Sequence, residues 1–251
     1  MKLKNLVNIL DDELQPEQFR DYCPNGLQVE GRPEVLKLVT GVTACEALID
    51  EAIDWGADAI LVHHGFFWKN ERDEVVGMKK RRLQKLLTHD ISLLVYHLPL
   101  DAHEIMGNNV TLAKLLGITT TGPLDPRERR PIGNIGELTR TLSLSDFAEH
   151  IEKVLGRTPL VISGGDHPVK SVAWCTGGAQ SYIQLAIAAG VDVYISGEIS
   201  ESTVHTAREE GIHYISAGHH ATERGGVQAF GAWLQENYKI EHRFIDIANP
   251  V

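Results

Sequence analysis

The sequence predicts an α/β protein made of two similar, interwoven halves, in which layered sheets are flanked by helices. One observation behind this prediction is that short apolar strand-like runs alternate along the chain with helical segments. The other is an internal repeat, since Gly56-Ala57-Asp58 matches Gly190-Val191-Asp192 at an offset of 134 (190 − 56). At that offset strand falls on strand and helix on helix, which indicates duplication of one α/β unit.

The repeat suggests how the chain is divided. We assign residues 1–121 to the first half and 122–251 to the second, with a connector rich in Pro, Arg and Gly at 123–136. The offset places His63-His64 on Gly197-Glu198. Two similar halves would bring equivalent strand ends toward one another, so we expect one compact unit whose ligand site lies between the halves.

The elements of the first half follow from apolar spacing and from capping residues. Apolar residues at helical intervals predict a helix at 3–10. Thr43 and Glu46 have the spacing of a capping box, and Gly56 is a typical helix stop. In order, the predicted elements are a helix at 3–10, strands at 27–29 and 35–42, a helix at 43–55, a strand at 59–62, a helix at 77–88, a strand at 91–96 and a helix at 108–116.

The second half is predicted in the same way. Ser145 is expected to cap a helix that Gly156 ends. In order, the predicted elements are a strand at 137–142, a helix at 145–155, strands at 160–162 and 169–175, a helix at 181–189, a strand at 191–195, a helix at 201–210, a strand at 212–216, a helix at 222–236 and a strand at 243–247.

Composition excludes several classes of function. The 251 residues carry a net charge of −10, which disfavours non-specific nucleic-acid binding, although a basic patch such as 127–140 could meet a phosphate. No apolar run is long enough to cross a membrane, and residues 1–12 lack the features of a signal peptide. Three widely spaced cysteines favour reduced thiols, so we expect a cytoplasmic protein.

A buried strand runs directly into two adjacent histidines and a glycine, Ala59-Ile60-Leu61-Val62-His63-His64-Gly65. Ligand sites of open α/β sheets gather at the carboxyl ends of strands, so this pair is a candidate metal or proton-transfer site. Adjacent strand residues point to opposite faces, so we expect the chain to leave the strand between the histidines, helped by Gly65. The alternative is a core-edge histidine beside a solvated one.

Two further strand ends carry polar clusters. Asp101 follows His97 across Pro99, which would fix the backbone of a ligand loop. His219 and Glu223 are four residues apart and would share one face of a helix. Taken singly, the first cluster is more typical of a turn with solvated polar ends, and the second is more typical of a surface hydrogen bond.

Together the clusters predict a metal centre whose ligands are three imidazoles and two carboxylates, those of Asp101 and Glu223. Three imidazoles and two carboxylates without a thiolate suit Zn²⁺, Mn²⁺, Fe²⁺ or Co²⁺. Five side chains exceed the needs of one catalytic ion with an open position, and they suit two divalent ions with a bridging group. Such a centre would lower the pKa of a bridging water and favour an anionic substrate.

The motifs resemble those of the GTP cyclohydrolase I type 2 family, also called the NIF-three-like family. The similarity runs from about residue 20 to the end of the chain and is carried by four segments, Pro24-Asn25-Gly26-Leu27-Gln28-Val29, Val62-His63-His64-Gly65, His97-Leu98-Pro99-Leu100-Asp101 and Gly218-His219-His220-Ala221-Thr222-Glu223. The resemblance implies a dinuclear metal site with five candidate ligands, which are His63, His64, Asp101, His219 and Glu223. It also implies interwoven α/β halves and a ring-shaped homohexamer.

The sequence also suggests roles for the residues around the candidate ligands. His97 is a candidate proton shuttle or sixth ligand, and the alternative is an imidazole that orients Asp101. Glu198 is expected to contact the ligands, while His103 and His220 are expected to lie outside them. Phe66, Phe67 and Trp68 are candidates to line the pocket, although three aromatic side chains after a strand more often serve packing.

These observations lead to two functional hypotheses. The first is a cytoplasmic dinuclear metal-dependent hydrolase acting on a nucleotide or a related small anionic molecule. The second is a regulatory or interaction protein whose ions are structural. Neither hypothesis involves a membrane, and nucleic acid is a disfavoured partner.

Overall fold

The computed structural model describes residues 1–251 and contains two β-sheets and ten α-helices. The strands are β1 Gly26–Val29, β2 Lys37–Thr43, β3 Ala59–His64, β4 Ser92–Val95, β5 Ile118–Pro123, β6 Asn134–Leu142, β7 Leu160–Ile162, β8 Val169–Cys175, β9 Val193–Ser196, β10 His213–Ser216 and β11 Glu241–Phe244. The helices are α1 Leu3–Leu14, α2 Glu46–Trp55, α3 Gly77–Thr88, α4 Leu98–Ala102, α5 Asn108–Leu116, α6 Leu144–Leu155, α7 Ile183–Ala189, α8 Glu201–Glu209, α9 His219–Thr222 and α10 Arg224–Tyr238. Short 3₁₀ turns occupy Pro16–Gln18 and Gln180–Tyr182.

The chain forms two compact units. The first comprises Met1–Leu100 and Gly226–Ala248, and its five-stranded sheet has the order β1-β4-β3-β2-β11. Strands β2, β3, β4 and β11 are parallel, and β1 pairs antiparallel with β4. The parallel strands β3 and β4 are buried along almost their whole length, as expected for strands covered on both faces.

The second unit comprises Asp101–Gly225 and Asn249–Val251, and its six-stranded sheet has the order β5-β6-β8-β9-β10-β7. Strands β8, β9 and β10 are parallel, and β7 pairs antiparallel with β10. On β8, Val172 and Trp174 pack into one apolar cluster while Ala173 and Cys175 pack into another. Both faces of this sheet are therefore covered by apolar side chains.

The two sheets repeat one design down to the strand register, which confirms the predicted duplication. Leu38 pairs with Ala59 in the first unit, and Val172 pairs with Val193 in the second. Both members of the second pair follow those of the first by the predicted offset of 134. In each unit an antiparallel edge strand, β1 or β7, pairs with the third parallel strand.

The repeated aspartates explain why the Gly-x-Asp tripeptide occurs twice. Asp58 Oδ2 accepts hydrogen bonds from the backbone N–H groups of Leu36 and Lys37, at 2.8 and 2.9 Å. Asp192 Oδ2 accepts them from Lys170 and Ser171, at 2.9 and 2.7 Å. Each carboxylate thus ties the start of the first parallel strand to the start of the second. The tripeptide is a structural signature and not a binding motif.

The two units are not separated between residues 121 and 122, where the sequence placed the boundary between the halves. Residues 101–121 belong to the second unit because β5 pairs with β6 over five residue pairs. Residues 226–248 return to the first unit because β11 pairs with β2 in parallel. Part of the predicted connector also lies in strands, since β5 runs to Pro123 and β6 begins at Asn134.

The predicted caps of two helices are wrong, although both predicted stops are confirmed. Helix α2 begins at Glu46, because Thr43 remains in β2 and its hydroxyl contacts the His64 imidazole. The cap of α6 is Ser143, whose Oγ accepts the N–H of Asp146. Gly56 and Gly156 end these helices in the left-handed conformation. No helix is long and apolar enough to cross a membrane.

Candidate metal-binding site

Three imidazoles meet at the carboxyl ends of β3 and β4 in the first unit. The ring centroid of His63 lies 4.5 Å from that of His64 and 4.9 Å from that of His97. One ring nitrogen from each histidine lies within 4.8 Å of the others. This set, called the imidazole cluster below, has the spacing that a shared metal ion or a relayed proton requires.

The expectation that the chain leaves the strand between His63 and His64 is wrong. Strand β3 continues through His64, which pairs with Thr43 of β2. The rings converge because each Nδ1 atom is anchored at the end of a neighbouring strand. Nδ1 of His63 lies 3.1 Å from the Tyr96 carbonyl, and Nδ1 of His64 lies 3.1 Å from Thr43 Oγ1. A carbonyl only accepts, so His63 carries its proton on Nδ1 and keeps the Nε2 lone pair for a ligand.

Gly65 is required for space and not for a left-handed backbone. Its φ is not among the positive values in the chain. A Cβ added there would lie 2.2 Å from Val95 Cγ2 and 2.6 Å from Gln28 Oε1. The same Gln28 oxygen accepts the N–H of Phe66 at 2.8 Å, so it holds the loop that follows the two histidines. The segment around Gln28 is therefore part of the support of the imidazole cluster.

Asp21 is a site residue that sequence reasoning missed. Its Oδ1 lies 2.7 Å from Nδ1 of His97, and its Oδ2 accepts the N–H of Leu98 and the side-chain amide of Asn25, both at 2.9 Å. Burial acts to raise the pKa of Asp21, but the hydrogen bond and charge of His97, with the bonds from Asn25 and Leu98, hold it below the usual value. The signal that could have found it is its position just before the Pro24-Asn25-Gly26 turn.

A buried cysteine, Cys23, lies beside this pair, and the three side chains have the spacing of a metal-binding group. Burial, with a smaller contribution from the charge of Asp21, raises the pKa of Cys23 to about 12. The thiol is therefore protonated near neutral pH in the metal-free chain, and a metal ion bound there would displace its proton. Trp68 is the other neighbour, and its ring meets that of His97 edge-on at 5.0 Å and lies 5.9 Å from that of His64.

Asp101 is the first of three candidate ligands in the second unit. It lies on the short helix α4, where the sequence predicted a loop, because Pro99 is tolerated in a first helical turn. The Asp101 carboxylate is 6% exposed, and its Oδ1 accepts bonds from Asn108 Nδ2 at 2.8 Å and Thr176 Oγ1 at 3.2 Å. Asn109 also bonds the Asp101 carbonyl, so α4 is held from two sides.

Glu223 and His219 complete the set in the second unit. Nε2 of His219 lies 3.2 Å from Oε2 of Glu223, and Nδ1 lies 2.6 Å from Oε1 of Glu198. Burial acts to lower the pKa of His219, but the hydrogen bonds and charges of Glu223 and Glu198 outweigh it and raise the pKa to about 9. Carboxylate oxygens of Asp101 and Glu223 lie within 4.8 Å of each other. We call Asp101, His219 and Glu223 the carboxylate cluster.

Gly177 makes room for this cluster. Its φ is +69°, and a Cβ there would lie 2.1 Å from Glu223 Oε1 and 3.2 Å from His219 Nε2. Glu198 occupies the repeat position of His64 and orients His219, as expected. His220 is buried with its N–H bonded to the Val251 carbonyl, and Nδ1 of His103 accepts the N–H of Met106.

Each cluster has the composition of a divalent-metal site. Asp101 and Glu223 are both almost completely buried, and two buried carboxylates this close repel each other unless a cation or a proton compensates them. His63 presents an Nε2 lone pair, and imidazole nitrogens with carboxylate oxygens are ligands for Zn²⁺, Mn²⁺ and Fe²⁺. The residues present therefore fit a metal ion.

The fold and the site together define the class of protein. A duplicated α/β fold whose strand ends carry histidine and carboxylate clusters is a candidate metal-binding protein. Comparison with known proteins gives the family. The chain matches the sequence profile of the Duf34/NIF3 family (NGG1p interacting factor 3) over residues 1–250, and it belongs to that family. The resemblance inferred from the motifs is thereby confirmed.

Individual relatives are similar over the whole length. A protein of Pseudomonas aeruginosa named GTP cyclohydrolase 1 type 2 homolog is 57% identical over 248 residues, covering 99% of this chain and 98% of that one. A solved structure described as protein ybgI, of unknown function, is 51% identical with a TM-score of 0.96 and full coverage of both chains. A second solved structure, of a Thermus thermophilus protein, is 34% identical, with a TM-score of 0.91 and full coverage of both.

Proposed function

We propose that the protein is a metal-dependent hydrolase acting on a nucleotide or a related small anionic molecule. The observation that carries the proposal is the buried carboxylate cluster, in which Asp101 and Glu223 lie close enough to share a compensating cation. The name of the Pseudomonas aeruginosa relative, GTP cyclohydrolase 1 type 2 homolog, supports a nucleotide as the substrate.

The proposed ligands of two divalent ions per subunit are His63, His64, Asp101, His219 and Glu223. The proposal that both clusters serve one dinuclear centre rests on the number and type of ligands and on the family resemblance. Zn²⁺, Fe²⁺, Mn²⁺ or Co²⁺ suits three imidazoles and two carboxylates. When bound, such ions activate a water molecule and neutralise developing negative charge. Two dications against two carboxylates leave a net charge of +2, which favours an anionic substrate.

His97 is the proposed proton carrier. Asp21 fixes Nδ1 of this imidazole at 2.7 Å, and the backbone N–H of His97 donates to Asn25 Oδ1 at 2.7 Å. With Nδ1 held, Nε2 is the atom that takes a proton from, or delivers one to, the reacting group. A general acid–base residue oriented by a second group is a recurring arrangement in hydrolases.

Two further properties belong to the proposal. We propose a homohexamer, which the family resemblance implies and which sedimentation of the purified protein would test. We propose the cytoplasm as the compartment because the three cysteines are free thiols, two of them buried.

The test joins metal analysis to a nucleotide screen. Metal content per chain and metal-dependent turnover are measured for the wild type, Asp101→Ala, Asp101→Asn and a control, Asp54→Ala, on the exposed side of α2. We expect two ions per chain and turnover of a nucleotide in the wild type and the control, and loss of both in the Asp101 variants. The isosteric Asp101→Asn variant guards against misfolding. Absence of metal-dependent turnover for every nucleotide would sink the proposal.

The rival hypothesis of structural ions makes a different prediction for metal removal. A hydrolase should remain folded and become inactive when a chelator removes its ions. A protein with structural ions should dissociate or unfold instead. Circular dichroism and sedimentation before and after chelation distinguish the two.

A further inference from the structure

The second unit contains a cavity that begins at a candidate metal ligand and opens to the surface. Its volume is about 370 Å³, within the range of roughly 300 to 1,000 Å³ that small-molecule sites occupy. Asp101 and Asn109 lie on its buried side, while Arg129 is exposed and Arg130 half-buried. Thr120 and Asn134 add polar groups from the strands that flank the arginines.

The two arginines are presented by an anchored hairpin loop. The loop connects β5 to β6, and its ends are tied by the hydrogen bond from the Leu124 N–H to the Gly133 carbonyl at 3.1 Å. Leu124 is buried in an apolar cluster that includes Ala173 of β8. Gly133 has a φ of +79°, and a Cβ there would lie 2.9 Å from the Trp174 carbonyl. The base of the loop is therefore held against the sheet, which limits the positions that the arginines can take.

The chemistry of the lining selects the ligand. A guanidinium group presents a planar fork of donors that matches the oxygens of a phosphate, and two adjacent ones supply a charge of +2, which exceeds the charge of −1 on Glu104 of the same wall. The Asp101 carboxylate would repel an anion, but a divalent ion on that carboxylate reverses the sign of the local charge. A cavity with guanidinium groups at one end and a metal ligand at the other suits a phosphate between them.

We propose that this cavity binds the phosphate groups of a small phosphorylated substrate, with Arg129 and Arg130 as the phosphate contacts. The inference deepens the proposed function, on which it rests for the reaction, by naming a phosphorylated compound as the substrate class. The arginine contacts themselves require no hydrolysis. They can therefore be measured separately from turnover.

Arg127 provides a matched control within the same loop. It forms a two-point ion pair with Asp125, with Nε to Oδ1 at 2.8 Å and Nη2 to Oδ2 at 2.7 Å, and it is not part of the cavity wall. Replacing it removes the same charge from the same loop. It therefore separates a local contact from general electrostatic attraction.

The experiment is calorimetric titration of the full chain with pyrophosphate, both as purified and after removal of metal. The variants are Arg129→Gln with Arg130→Gln, Arg129→Gln alone, and Arg127→Gln. A charge-assisted hydrogen bond contributes enough affinity that we expect the double variant to bind at least about tenfold more weakly in both forms. We expect the single variant to lie between it and the wild type and Arg127→Gln to change binding by less than about twofold.

Two outcomes would overturn the inference. One is a wild-type chain that binds no pyrophosphate at millimolar concentration in either form, and the other is equal weakening by Arg127→Gln and the double variant. Failure of the proposed function gives a different result. A chain that hydrolyses nothing yet loses pyrophosphate affinity only when Arg129 and Arg130 are replaced would remove the hydrolase and leave the phosphate site.

Discussion

Replacement of Asp21 by asparagine tests whether the pairing with His97 supports the chemistry. The carboxylate side chain is 3% exposed and accepts four hydrogen bonds, from the backbone N–H groups of Tyr22 and Leu98, the Asn25 amide and the His97 imidazole. Asparagine keeps one acceptor oxygen and places an NH₂ group opposite the donors of Leu98 and Asn25. Two hydrogen bonds to a buried charge are lost, which costs about 3 to 6 kcal/mol at about 1.5 to 3 kcal/mol each.

The expected result is a loss of both stability and proton transfer. At about 2 to 4 °C per kcal/mol for a chain of this size, the melting temperature should fall by about 6 °C or more. Activity measured well below that temperature should fall in kcat more than in KM, because His97 keeps a neutral oxygen opposite its Nδ1 but loses the carboxylate charge beside it. The control is Asp54→Asn, which removes the same charge from an exposed position of α2. A variant with wild-type melting temperature and kcat would refute the assigned role of Asp21.

Three further predictions, two on substitutions and one on metal binding, test the structure. Gly177→Ala places a Cβ against the Glu223 carboxylate, so metal affinity measured by titration should fall by about 10- to 100-fold. The control is Gly190→Ala, at a glycine with a φ of +67° and open space around it, and it should leave metal affinity unchanged. Asp192→Ala removes three hydrogen bonds to β8 and should lower the unfolding free energy by about 2 kcal/mol in urea titrations, after allowance for partial exposure. Burial acts to raise the Asp192 pKa, but hydrogen bonds from Ser171 and Lys170 outweigh it and hold the pKa below 3.8. The stabilisation from the ionised carboxylate is therefore present above pH 4 and is lost as the pH falls through the folded pKa. The unfolding free energies of wild type and variant should converge in acid. Metal binding should release a proton from His219 at pH 7, because the pKa of this imidazole is about 9, and metal affinity should rise as the pH approaches that value. Calorimetry in buffers of different ionisation heat measures the proton release, and its absence would contradict the prediction.

Much of the fold could be predicted because it depends on local pattern and on the repeat. Strand β8 occupies the predicted residues 169–175, and the offset of 134 taken from one tripeptide recurs as identical pairing between parallel strands. The path of the chain between units could not be predicted. It depends on which edge β11 joins, and that choice is made by its pairing with β2, which is distant in sequence.

The candidate site divides in the same way. The five candidate ligands were visible because histidines and carboxylates at strand ends are conspicuous in a sequence. Asp21 was not visible, because an aspartate before a turn has many structural uses and its partner, His97, is 76 residues away. The role of Gly177 was not visible either, since no sequence rule states which side chain would occupy the space above it.

By itself the sequence determined the α/β class, the duplication, the family and the residue types of the clusters, since periodicity, repeats and motifs are properties of the chain in order. The tertiary structure alone decided that His63 and His64 converge within a continuous strand, that Asp21 holds His97, and that Arg129 and Arg130 share a cavity with Asp101. These are contacts between residues far apart in the chain or rotations of side chains about a fixed backbone. Packing and hydrogen-bond partners set both, and neither has a periodic signature.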